Sequence, residues 1–506
     1  MEALDLLLFG FSVALTPQNL ALALLGAFLG TIIGALPGLG PTNGVAILIP
    51  LAFSLNLVPA SALILLASVY YGAMYGGRIS SILLNIPGDE PALMTTLDGY
   101  PMARQGKAGE ALAISAIASF IGGFIATVGL LLFAPLLAKF ALLFGPAEYF
   151  ALFVLAFTTI GGLTSRNQMK SLMAAALGLM IGTVGLEHGT GIPRYTFNHM
   201  ELFEGIDFLV AIVGMFAISE ILFFIEERAA GRIEKVELSK ARVTVEMLRT
   251  IAPTTLRGSV IGFVCGVLPG AGASLGSFAA YTLEKRFFDR RGTFGTGDPR
   301  GVAAPEAGNN GAAGGALIPM LTLGVPGSGT TAVLLAMLMA MNITPGPLLF
   351  QENPDVVWGL IAALFIGNFM LLVMNLPMVG LFARVLMVPS HILMPIVGMV
   401  GFVGIYSISH SLFDLYLMIA FGVGGYILRK MEVPLVPVIL GLLLGTLMEE
   451  NLRRALNISN GDWTVLVSSP LAIGLWVFAL VGLLVPVVFG KFLRPSRPGE
   501  AAAVTD

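Results

Sequence analysis

Four short stretches gather the residue types that suit binding of a small charged solute. They read LPGLGPTNG at 36–44, NIPGDEPA at 85–92, LPGAGASLG at 268–276 and GVPGSGTT at 324–331. Each interrupts an apolar run with Pro-Gly, and proline cannot donate to the helical ladder while glycine tolerates backbone angles outside the helical well. A helix therefore stops at each. Hydroxyl and amide side chains follow three of the breaks: Thr42 and Asn43, then Ser274, then Ser328 and Thr330. A helix start presents unpaired N–H groups and the positive end of its dipole, which favour an anion. A bound carboxylate is expected near Gly40, Thr42, Asn43, Gly272, Ser274, Ser328 and Thr330. Carbonyls freed at the ends of the preceding half-helices, around Gly38, Pro87, Gly270 and Pro326, suit a small hard cation such as sodium. An anion and a cation at one broken-helix site is the pattern of a cation-coupled carboxylate carrier. The competing reading is close helix packing by small residues, which we prefer for isolated glycines such as Gly122, Gly123, Gly424 and Gly425.

The elements that carry these breaks follow from composition. A chain of 506 residues with 56% hydrophobic and 11% charged residues and a mean hydropathy of +0.90 has too little polar surface for a large soluble globule. It reads as an all-α polytopic membrane protein. Apolar runs lie at 17–36, 59–77, 111–138, 148–163, 171–186, 206–225, 355–376, 412–428, 435–448 and 470–490. With further short or broken runs, roughly 10 to 12 crossings are expected. Long unbroken runs exclude the alternating pattern of an outer-membrane barrel. Irregular backbone inside hydrocarbon must pack on protein or line a watery cavity, so the breaks should converge within the bundle. Residues 1–15 lack the basic start and small-residue cleavage site of a secretory signal, so the first helix is expected to be retained.

The breaks are paired by an internal repeat. GTIIGALPGLGPTNG at 30–44 matches GFVCGVLPGAGASLG at 262–276, an offset of 232. GAMYGGRISSILLNIPG at 72–88 matches GAAGGALIPMLTLGVPG at 311–327, an offset of 239. A weaker echo sets GLMIGT at 178–183 against GLLLGT at 441–446. The order argues for a duplicated unit: a first transmembrane repeat at 1–227, a charged cytoplasmic linker at 228–256, a second repeat at 257–493 and a disordered tail at 494–506. The linker is rich in Lys and Arg, and no basic residue precedes Arg78, whereas the second half opens with Arg257, Lys285, Arg286, Arg290 and Arg291. By the positive-inside rule the halves enter the membrane from opposite sides, as two inverted-topology repeats with broken or re-entrant helices. Lys491, Arg494 and Arg497 pull the other way, because strict inversion leaves the C-terminus outside.

Other ionisable residues admit several roles. Glu306 suits a gate, a coupling carboxylate or a helix cap. Arg78 suits either a substrate carboxylate or snorkelling at the interface. Asp98, in LDGYPMA, suits the organisation of a loop. His188, His199, His391 and His410 lack the mutual spacing of a metal site and read as structural. The lone Cys265 allows neither an internal disulfide nor a cysteine metal cluster. No phosphate loop, HExxH or GxSxG occurs, so neither catalytic nor metal residues are assigned and no cofactor beyond a coupling cation, Na+ or H+, is expected.

The strings YYGAMYGGRISSILLNIPGDEPALMTTLDGYPMARQGKAGEAL at 70–112 and APEAGNNGAAGGALIPMLTLGVPGSGTTAVLL at 304–335, with the two LPGxG segments, resemble the large permease subunit of the tripartite tricarboxylate transporters, the TctA type. The likeness extends to about residue 490, with Gly308 standing where alanine is expected. It implies a bacterial inner-membrane protein working with a small four-helix membrane subunit and a periplasmic solute-binding protein. Uptake of citrate or another carboxylate, driven by sodium or protons, is implied in the same way; no nucleic acid is. The alternative is a polytopic membrane enzyme acting on a lipid-linked substrate. Scarce Asp, Glu and His in the apolar segments speak against it, and nothing resembles the repeated selectivity filter of a channel.

Overall fold

The computed structural model describes residues 3–36, 38–163, 168–187, 191–226, 244–269, 272–385 and 390–493. The first half runs α1 (Ala3–Ala14), α2 (Pro17–Ala35), α3 (Gly40–Ser54), α4 (Pro59–Leu84), α5 (Leu93–Met102), α6 (Ala108–Ala141), α7 (Pro146–Leu163) and α8 (Gln168–Gly182). A short antiparallel pair, β1 (Gly185–Leu186) and β2 (Pro193–Arg194), precedes α9 (Phe208–Val213) and α10 (Ser219–Glu226). The second half runs α11 (Val245–Val267), α12 (Gly272–Phe288), α13 (Pro299–Gly315), α14 (Leu317–Leu323), α15 (Gly329–Ala340), α16 (Leu349–Glu352) and α17 (Pro354–Val385). It closes with α18 (Ser390–Ser409), α19 (Leu412–Lys430), α20 (Leu435–Ile458) and α21 (Pro470–Leu493). Single π turns join α5 to α6 and α9 to α10.

This is an all-α polytopic membrane protein. Among the described residues, 8 helical stretches are long and apolar enough to cross a membrane. Shorter apolar helices, among them α3 and α15, make up the rest, because the breaks cut would-be spans into pieces. The described part of the charged segment at 228–256 is helical from Val245, where the Thr244 hydroxyl accepts the Met247 N–H at 3.2 Å. Residues 227–243 and the tail lie outside the described residues.

The helices carrying the breaks are held in two glycine seams. On α2, a Cβ at Gly30 would sit 2.3 Å from the Val69 carbonyl oxygen of α4, and one at Gly34 2.1 Å from that of Ala73. On α11, a Cβ at Gly262 would sit 2.1 Å from the Gly308 oxygen of α13, and one at Gly266 2.2 Å from that of Ala312. Each partner in the second seam lies 232 or 239 residues beyond its counterpart in the first, the offsets of the sequence repeat. Backbone lies directly on backbone, the close approach that small residues permit where lipid removes the hydrophobic drive for association.

The third sequence echo packs on itself. A Cβ at Gly178 of α8 would sit 2.0 Å from the Val438 oxygen of α20, and one at Gly441 would sit 2.4 Å from the Ala175 oxygen. Gly178 with Gly441, and Ala175 with Val438, are each 263 residues apart, so GLMIGT and GLLLGT meet reciprocally across one crossing.

Asp98 fastens the halves together as a loop organiser. Its Oδ1 accepts backbone N–H groups of Gly295 at 2.9 Å, Gly297 at 2.9 Å and Asp298 at 2.8 Å, and Oδ2 accepts the Tyr281 hydroxyl at 3.0 Å. In that loop burial would raise the Asp298 carboxyl, but the Arg300 and Thr293 side chains and the Arg300 N–H hold it below its ordinary value. Asp289 is likewise lowered, its burial outweighed by the N–H groups of Phe294 and Thr293. Depressed carboxylates stabilise above the unfolded value near pH 4 and lose that contribution as pH falls through the folded one. Protection of the 289–301 amides, taken against their intrinsic exchange rates at each pH, should therefore be high at pH 6 and fall below about pH 4; equal protection factors at pH 3 and pH 6 would contradict this.

Candidate functional site

Each break ends one helix and begins another in the same way in both halves. The helices before the second and fourth breaks close on left-handed residues, Asn85 (φ 57°) and Gly324 (φ 67°). The helices after the first and third begin at Gly40 (φ 59°) and Gly272 (φ 62°), where a side chain would be strained. The equivalence therefore extends from the seams into the breaks.

The four breaks meet in a ring. The first touches the second where the Gly38 N–H donates to the Gly88 carbonyl at 3.3 Å and Gly40 lies against Asp89. The second touches the third where the Ser274 hydroxyl donates to Glu90 Oε2 at 3.2 Å and that of Ser277 to the Pro91 carbonyl at 2.7 Å. The third touches the fourth at Gly272, beside Ser328 and the Gly327 carbonyl. The ring closes at the Thr42 and Thr330 hydroxyls, which share a hydrogen bond at 3.0 Å. Thr42 thus faces Thr330, and Ser274 faces Glu90.

The remaining residues singled out in the sequence fall around this ring. Ser328 caps α15 with a complete box: its hydroxyl accepts the Thr331 N–H at 3.3 Å while the Thr331 hydroxyl accepts the Ser328 N–H at 2.8 Å. Asn43 turns outward, donating at 3.4 Å to both the Gly38 carbonyl and Glu220 Oε2. Pro87 is half-buried and Pro326 buried, each immediately before the glycine that packs on a seam, and Gly270 lies outside the described residues.

Two neighbourhoods were not legible as sites. Glu220 of α10 is paired with Arg429 of α19, whose guanidinium stacks 4.2 Å from the Phe223 ring, so α10 and α19 strap the outer side of the first break. Behind the second break lies a buried polar cluster. Glu306 does not cap a helix, because Asp298 does that for α13; it lies mid-helix, 1% exposed, accepting Thr95 at 2.6 Å and Ser119 at 2.9 Å. Arg78 does not snorkel: it is 2% exposed, 4.7 Å from the Tyr75 ring centre, and Glu306 is the carboxylate acting on it. Its Nε and Nη1 have no hydrogen-bond partner among the described residues. Tyr75 continues the network to Asn368 Oδ1 at 2.9 Å, and Asn368 to the Phe120 carbonyl at 2.8 Å.

Interrupted helices converging on one polar ring inside an apolar bundle define a polytopic membrane protein of transporter type. A family model described as "Tripartite tricarboxylate transporter TctA family" matches residues 20–440, and the chain belongs to that family. It is a component of a tripartite tricarboxylate transporter. It is similar to an "Uncharacterized 52.8 kDa protein in TAR-I ttuC' 3'region" of Agrobacterium vitis, 40% identical over 488 residues, which cover 96% of this chain and 97% of that protein. It is also similar to an "Uncharacterized protein in TAR-II ttuC' 3'region" of the same organism, 41% identical over 233 residues, 46% of this chain and 96% of the relative. No solved structure matches the chain.

Proposed function

We propose that this chain is the large permease subunit of a cation-coupled carrier for tricarboxylates or related carboxylates. In this reading it lies in the bacterial inner membrane beside a small four-helix subunit and receives substrate from a periplasmic solute-binding protein. The observation that carries the reading is the ring itself: two half-helix starts, α3 and α15, bring Thr42 and Thr330 within 3.0 Å of each other. A carboxylate at that point would take both hydroxyls and the N–H groups behind them. Inversion of the two halves is supported by the helices that follow the second and fourth breaks. Where α6 and α17 touch they run antiparallel, Phe120 beside Asn368 and Phe124 on Phe365 at 5.5 Å.

Uptake of labelled citrate and related acids into proteoliposomes, with and without a sodium or pH gradient and a binding protein, tests the reading. Gradient-driven uptake is expected, and ATP-dependent, gradient-indifferent uptake would sink it. Thr330→Val keeps the shape and removes one hydroxyl, so the uptake efficiency should fall about ten-fold to a hundred-fold, the effect of one buried hydrogen bond left unmade. Unchanged uptake by both Thr330→Val and Thr42→Val would remove the carboxylate from this place.

A further inference from the structure

Asp89 and Ser328 occupy the same position in the two halves. They stand 239 residues apart, the offset of the second repeat, and each directly follows a Pro-Gly. Each side chain accepts the N–H three residues on: Asp89 Oδ1 from Ala92 at 3.0 Å, Ser328 Oγ from Thr331 at 3.3 Å. The equivalence ends there. Ser328 is neutral and its capping box is complete. Asp89 carries a second oxygen, Oδ2, that is fully buried and has no hydrogen-bond partner among the described residues. Its carboxylate is wedged at the ring between two backbones: a Cβ on Gly77 would lie 3.1 Å from Oδ1, and one on Gly40 3.5 Å from the Asp89 Cβ.

The charges around it do not balance. Arg78 and Glu306, both almost wholly buried, act on each other, and Glu306 also acts on Asp89. One guanidinium thus stands with two carboxylates. Glu90 beside it and Tyr70 of α4 also act on Asp89, and neither supplies positive charge. An uncompensated carboxylate with a bare oxygen is costly inside a membrane protein and marks an ion or proton pathway.

We propose that Asp89 Oδ2 is where the coupling cation binds: a small monovalent cation, Na+ or H+, neutralises Asp89 on one side of the ring and leaves the Ser328 side to the anion. The proposal rests on the transport reading and supplies its missing charge. Of the positions expected to hold a cation, Pro87 precedes Asp89 by two residues, and the Gly38 N–H meets the carbonyl of Gly88, which directly precedes Asp89. The duplicated unit thereby has a division of labour, with the charged cap for the cation and the neutral cap for the carboxylate. Asparagine and serine can both accept the Ala92 N–H as Asp89 does, so Asp89→Asn and Asp89→Ser remove the charge while keeping the turn that leads into α5; the serine variant makes the first half copy the second.

Thermal unfolding of the purified full-length protein gives the test, read in NaCl against choline chloride at fixed pH, and in choline chloride from about pH 5 to about pH 8, above the range in which Asp289 and Asp298 titrate. For sodium, the wild-type midpoint rises with NaCl and saturates; for the proton, it responds to pH and ignores sodium. Both variants should lose that response, with any residual sodium half-saturation at least about ten-fold weaker. A wild type indifferent to both, or variants that keep the wild-type response, overturns the assignment. Uptake separates the two readings: if wild-type liposomes transport nothing, the transport reading falls while the unfolding data still decide this site. Cation-driven uptake that persists unaltered in Asp89→Asn removes this site alone.

Discussion

Alanine at Gly34 or Gly266 should cost the protein its assembled state. The added methyl would lie 2.1 Å from the Ala73 oxygen in one case and 2.2 Å from the Ala312 oxygen in the other, and backbone cannot turn aside as a side chain can. Overpacking costs about 1–3 kcal/mol even in cores that yield by rotamer changes. A seam with none should lose about 3 kcal/mol or more, a hundred-fold or greater shift toward unpacked helices. The measurement is the yield of monodisperse protein extracted from membranes. Gly424→Ala provides the comparison, because a Cβ there meets nothing within 4 Å. Should Gly34→Ala and Gly424→Ala give equal yields, the seams do not hold the fold.

The second large effect is expected at Arg78. Arg78→Met removes the guanidinium that acts on the buried Glu306 without touching it and leaves that carboxylate with the Thr95 and Ser119 hydroxyls, so the loss should be about 1–3 kcal/mol, below the cost of breaking a buried pair in direct contact. Replacing both with methionine removes the orphan, so Arg78→Met with Glu306→Met should recover a large part of the loss. Unfolding midpoints for the four corners of this cycle give the coupling directly. Additive single effects would show that the two charges do not depend on each other.

The breaks and their pairing were legible because proline and glycine act through the backbone, where local sequence governs. The same local rules put Thr42, Ser274, Ser328 and Thr330 at half-helix starts. Which of them would meet was not legible. Thr42 and Ser274 hold equivalent places in the repeat, yet Thr42 meets the fourth break and Ser274 the second. Arg78 looked interfacial because a lone arginine in an apolar run commonly snorkels. One signal against that was present: α4 has no polar face along its 26 residues, as expected for a helix buried all round, and Arg78 lies six residues, about 9 Å, from its end. Of the three roles open to Glu306, the cap falls away because Asp298, eight residues earlier, takes that role. The pairing of Glu220 with Arg429 joins helices 209 residues apart, and no periodicity within either helix announces it.

The glycine seams also bear on how the protein can change shape. Their contacts order almost no side-chain rotamers, so little conformational entropy is spent in forming them. For the same reason they contain nothing that can re-pack. A one-residue slip would drive a Cβ into a carbonyl at every rung, which leaves α2 with α4, and α11 with α13, as two stiff planks. In the proposed carrier, flexure between inward- and outward-open shapes would then concentrate where the planks end, in the Pro-Gly hinges that also hold the polar ring, so that loading the ring and bending the protein would be one mechanical event.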